Sequence, residues 1–101
     1  MNQFDETLET KEYTALSESE WEVLRSELEG VSSGSMADKL SFLKSRGYRI
    51  AFNTKYPQYL RSVPVKSGGG EIVRVGSDHF EFRLPGKATL AVPYGIILLL
   101  L

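Results

Sequence analysis

Phe80-Glu81-Phe82-Arg83-Leu84 alternates apolar and charged residues without a fault. Pro85-Gly86-Lys87 breaks the run, and Ala88–Val92 then alternates again. A period of two places Phe80, Phe82 and Leu84 on one face of a strand and the charges on the other. On the N-terminal side, Gly76-Ser77-Asp78 is a turn and Glu71–Gly76 a strand. Ser67–Gly70 is a tight turn, and Leu60–Lys66 is a strand whose Pro64 assigns it to an edge or a bulge. Tyr48, Ile50 and Phe52 alternate with Arg49 and Ala51, and Asn53–Gln58, with Pro57, reads as a loop. On the C-terminal side, Pro93-Tyr94-Gly95 is a short corner and Ile96–Leu101 a last strand. Strands this short, with turns this closely spaced, predict a small, strongly bent, five-stranded antiparallel barrel over residues 48–101, most of it within 60–101.

Before the barrel the period becomes helical. Ser17 and Glu20 form a capping box, and Trp21, Leu24, Leu28 and Val31 recur at spacings of three and four. This predicts a helix over 17–29, closed by Gly30 as a left-handed cap. Ser35 and Asp38 open a second helix over 35–46. Its stripe is Met36, Leu40 and Leu43, and Gly47 stops it. Residues 1–14 lack periodicity and read as a flexible acidic tail ahead of a single domain at 15–101. The expected class is mainly β with N-terminal helices, an α+β fold.

Composition narrows the function classes. With no cysteine among 101 residues, disulfides and thiolate chemistry are excluded. His79 is the only histidine, so a transition-metal cage is not expected. Met1–Thr14 lacks the basic-then-apolar order of a signal peptide. Ile96–Leu101 is far shorter than the roughly 20 residues that cross a bilayer. The expectation is a cytoplasmic chain without a membrane partner.

Charge is divided. Residues 1–38 carry ten acidic and two basic side chains, whereas 39–66 carry Lys39, Lys44, Arg46, Arg49, Lys55, Arg61 and Lys66 and no acid. Either the two segments neutralise each other, within one fold or between subunits, or the second is a basic surface for an anionic partner. In 44–61 the cations Lys44, Arg46, Arg49, Lys55 and Arg61 interleave with Tyr48, Phe52, Tyr56 and Tyr59. Cations for phosphates and aromatics for bases are what single-stranded nucleic acid needs, although Tyr48 and Phe52 also suit a core.

Gly70-Glu71-Ile72-Val73-Arg74-Val75-Gly76-Ser77-Asp78-His79-Phe80-Glu81-Phe82 resembles the first motif of the Sm-like family. Leu90-Ala91-Val92-Pro93-Tyr94-Gly95-Ile96-Ile97 resembles the second. The resemblance implies a homo-oligomeric ring of roughly five to eight subunits, in which the fourth strand of one barrel pairs with the fifth of the next. Leu90, Val92, Ile97 and Leu99 would form that interface. It also implies RNA contacts from the turn at Asp78, His79 and Phe80. At the corner, Gly95 matches the family's glycine, Tyr94 or Pro93 stands where a basic residue is usual, and Tyr94 offers a stacking ring. A separate argument meets this one. Ile96–Leu101 has no polar side chain, so it needs a cover, either a neighbouring subunit or the first helix.

No catalytic set is recognised. Ser77, Asp78 and His79 are chain neighbours pointing different ways, and Asp78 equally suits a carboxylate that bonds turn amides. Gly68–Gly70 lacks the Lys-Ser/Thr of a phosphate loop and reads as a turn. The glutamates of the first helix lie on its solvent face. The chain is therefore expected to be no enzyme and to need no cofactor or metal. The leading expectation is an Sm-like ring protein that binds RNA or single-stranded nucleic acid. The rivals are a structural or protein-interaction module on an Sm/SH3-like barrel that has lost nucleic-acid contact, and an isolated SH3-like adaptor.

Overall fold

Ser17 starts the first helix as its sequence requires. Its hydroxyl accepts from the Glu20 amide at 3.2 Å, and its own amide donates to Glu20 Oε1 at 2.9 Å. In the computed structural model, which describes residues 12–31, 34–53 and 60–101, this helix, α1, spans Glu18–Glu29. Leu24 is fully buried beneath it, with Trp21 and Leu28 packed against the core. Gly30 ends the helix in right-handed geometry, φ −79°, not as the expected left-handed cap. Helix α2, Met36–Ser45, is capped by Ser35, which accepts from the Asp38 amide at 3.2 Å. Here the left-handed residue is Gly47, at φ +81°. The Tyr48 amide then reaches the Leu43 carbonyl at 3.0 Å and that of Gly47 reaches Lys44 at 3.1 Å, which satisfies the last carbonyls.

Among the described residues eight strands accompany the helices: β1 Tyr13–Thr14, β2 Arg49–Asn53, β3 Leu60–Val65, β4 Ser67–Gly68, β5 Glu71–Val75, β6 His79–Arg83, β7 Leu90–Pro93 and β8 Ile97–Leu99. They form three sheets, β1-β4, β2-β3-β8 and β5-β6-β7. The class is α+β with mainly antiparallel sheets, and the expected barrel is corrected: the sheets are open. The two larger sheets are bridged at Ile50 and Gly70, which exchange both main-chain bonds at 2.9 and 3.0 Å. The last strand explains the lack of closure. Pro93 cannot donate, and Tyr94–Ile96 coil into a 3₁₀ turn. Only Ile97–Leu99 remain extended, and they lie parallel, not antiparallel, to Leu60–Ser62.

Pro64 sits in β3, the central strand of its sheet, where an edge or bulge was expected. Its pairing explains why this is tolerated. Its partner Ile50 spends its bonds on Gly70, and β8 reaches only as far as Ser62, so no ladder asks Pro64 for a donor. A bulge does occur elsewhere, in β5 at Val73.

Phe52 from β2 and Phe80 and Phe82 from β6 form the aromatic centre of the core. The Phe52 and Phe82 centroids are 4.5 Å apart. Leu16 ahead of α1, Leu24, Leu40 and Leu43 from the helices and Ile50, Leu60, Ile72, Val92 and Ile97 from the strands complete it. The alternation of Phe80 and Phe82 with Glu81 and Arg83 is observed as read. Tyr13 and Thr14, expected in the tail, are strand β1. Residues 1–11, Lys55, Tyr56, Tyr59 and the expected loop beyond Asn53 lie outside the described residues.

Candidate interaction surface

The turn between β5 and β6 is closed by its own bonds. The Gly76 amide donates to the His79 carbonyl at 2.8 Å. Asp78 Oδ1 and His79 Nδ1 are 2.7 Å apart, a contact that, with the Asp78 amide, holds this carboxyl below its usual range. Tyr94 locks the turn from the 3₁₀ corner. Its hydroxyl donates to the Gly76 carbonyl at 2.6 Å, and its amide donates to the Asp78 carbonyl at 3.0 Å. Burial, and then the Asp78 charge, push the Tyr94 hydroxyl above its usual range. The Tyr94 ring stacks on Phe80 at 6.4 Å.

Asp78, His79 and Tyr94 are thus brought together as one knot at the surface, with the Asp78 carboxylate exposed. Phe80 is the correction. At 1% exposure it is core, and no base can stack on it while the core is intact.

The basic segment is dispersed. Arg46 pairs with Glu27 at 3.2 Å and lies over the Phe42 ring. Lys66 pairs with Glu20 at 3.1 Å. Arg49 Nε donates to the Gly68 carbonyl at 2.7 Å. Arg61 lies half-buried in β3, opposite Asn53 and Leu98. Two pairs therefore join the acidic first helix to the basic segment inside one fold. Exposed pairs of this kind contribute about 0–1 kcal/mol each, so they match charge more than they stabilise. Lys44 and Arg49 flank a cleft of about 270 Å³ with Tyr48 and Glu71. The Arg83 guanidinium, 2.7 Å from the Glu71 carboxylate, keeps that group below its usual range.

Among the described residues, β7 pairs only with β6, and β8 only with β3. Of the four residues assigned to an interface, Leu90 is exposed at the β7 edge. Val92 and Ile97 are core, at 2% and 8% exposure, and Leu99 is half-buried against it; these three placements correct the expected interface. Leu98 and Leu100 are exposed instead. Their side of the strand follows from register, since Ile97 faces Leu60 and Leu98 faces Arg61. A uniformly apolar run carries no alternation from which to read that parity.

No family model, curated protein or solved structure matches this chain. Among the described residues, no helix is long and apolar enough to cross a membrane, and no three His, Cys, Asp or Glu side chains gather where they could hold a metal ion.

Proposed function

We propose that this chain is a non-enzymatic protein-interaction module that assembles with copies of itself, in the manner of the Sm-like rings its motifs resemble. One observation carries the reading. β7 and β8 are both sheet edges, and exposed leucines stand on them, Leu90 on β7 and Leu98 and Leu100 at and just after β8. Unpaired edges with apolar side chains invite strand addition. Two different edges give a head-to-tail contact, which closes into a ring when the rotation permits. Light scattering with mass measurement tests this. The wild-type chain should run as a closed oligomer. Leu98→Glu with Leu100→Glu should reduce it to a monomer with an unchanged circular dichroism spectrum. A wild-type monomer across a concentration series refutes the proposal.

A second reading, single-stranded nucleic acid as the ligand, is favoured by the cleft at Lys44 and Arg49 beside Tyr48. It predicts salt-dependent binding of labelled single strands that weakens in Lys44→Ala and Arg49→Ala. Absence of binding at low salt ends it.

A further inference from the structure

Three consecutive glycines, 68–70, serve no function in the proposed assembly, and the structure gives each a neighbour that a side chain would strike. A Cβ on Gly68 would lie 2.6 Å from the Glu12 carbonyl oxygen and 2.6 Å from Tyr13 Cα. One on Gly69 would lie 2.5 Å from the Ile50 carbonyl oxygen, and one on Gly70 would enter the Phe82 ring. Gly69 and Gly70 therefore let the turn lie flat on β2 and the core. Gly68 lets the main chain of residues 12–14 lie directly on the turn.

The contact is one of backbone with backbone. The Gly69 amide donates to the Glu12 carbonyl at 3.1 Å, and the Lys66 amide donates to Thr14 at 3.3 Å. Tyr13 faces Gly68 and Thr14 faces Ser67 in antiparallel register. The side chains of Glu12, Tyr13, Thr14 and Ala15 are exposed, Tyr13 by 45%, so among the described residues no apolar side chain anchors the arm before Leu16.

We infer that Ser67–Gly69 is a strand-addition site, and that the arm at 12–14 exchanges, so that the bed of one chain takes the arm of a second copy. A second copy is the occupant that reproduces the contacts seen: the same register and the same two amide donors. Exchange of an identical element between protomers is a low-cost route to a dimer. This inference goes beyond the β7–β8 assembly and does not rest on it.

Because the chain lacks cysteine, new thiols report only on this contact. The double variant Thr14→Cys with Ser67→Cys should close within one chain on oxidation. A mixture of the two single variants should then yield a heterodimer in which tryptic peptide 12–25 is linked to 67–74. Its yield should be about tenfold above a Thr14→Cys with Ser41→Cys mixture, which measures chance collision at an exposed site. The same yield in a Leu98→Glu background separates arm exchange from edge assembly. Closure of the double variant with no heterodimer above the collision control overturns the proposal, as does failure of the double variant to close. The wild-type chain supplies a second measurement. The amides of Lys66 and Gly69 should exchange hydrogen about tenfold faster than that of Ile50, because they open with the arm. Equal protection also overturns it.

Discussion

Alanine at Gly70 should strike the centre of the core from the outside of a turn. Gly70 is not among the positive-φ glycines, so alanine adopts its backbone without strain. The cost is steric. The new Cβ would lie 2.5 Å from Phe82 Cε1 and 2.7 Å from Cε2, and closer still to Cζ. Carbon atoms rest about 3.5–4.0 Å apart, so the ring must retreat by roughly an ångström. It has nowhere to go, being fully buried with Phe52 at 4.5 Å behind it. Overpacking of this kind costs about 1–3 kcal/mol. If the turn lifts instead, the two Ile50–Gly70 bonds loosen, at about 1 kcal/mol each. Either route gives a loss of about 2 kcal/mol. At about 4–8 °C per kcal/mol for a domain of this size, the melting point falls by roughly 8–16 °C. Urea and thermal unfolding followed by circular dichroism measure this, with Gly95→Ala, whose Cβ meets open space, as the neutral control. Phe82→Leu should cost stability alone but much less in the Gly70→Ala background, because the smaller side chain removes the clash. A Gly70→Ala variant within about 0.5 kcal/mol of wild type refutes the reasoning.

The apolar C-terminal run should divide by register. Ile97→Ala should lose about 2–5 kcal/mol and Leu98→Ala less than about 0.5 kcal/mol, by urea unfolding; equal losses would contradict the assignment of faces. Ser17→Ala removes the hydroxyl that caps α1 and should cost about 1 kcal/mol with some loss of helical ellipticity. Glu20, which bonds Ser17 and pairs with Lys66, is held at about 2 against a usual 4.5. Its folded pKa lies below its unfolded one, so its contribution is complete above about pH 4.5 and is lost as the pH falls toward about 2. The urea midpoint of the wild type should drop through that window more steeply than that of Glu20→Gln, and parallel profiles would show that the cap carries no such linkage.

Local chemistry explains what was legible. Both helices lie where Ser17 and Ser35 cap them and where the leucine spacing points, because a cap and a stripe need only neighbours in the chain. β5 and β6 follow from alternation and from the Gly76–Asp78 turn for the same reason. The candidate site was less legible. Phe80 looked like an exposed platform beside a turn, but it shares a face with Phe82, and that face is the core. Arg46 looked available for phosphate, but folding brings Glu27 to it from the first helix.

The sequence alone determined the two helices, the antiparallel β5-β6 hairpin and the α+β class, since each rests on periodicity and capping within a few residues. Only the tertiary structure decided that the sheets stay open, that Ile97 points in while Leu98 and Leu100 point out, and that Gly68–Gly70 is a bed for a strand and not merely a turn. Each of these depends on which distant backbone comes alongside: Leu60–Ser62 beside β8, Ile50 against Gly70, and Glu12 and Tyr13 over Gly68. A run of identical apolar residues, or of glycines, carries no local signal of the partner that will give it direction.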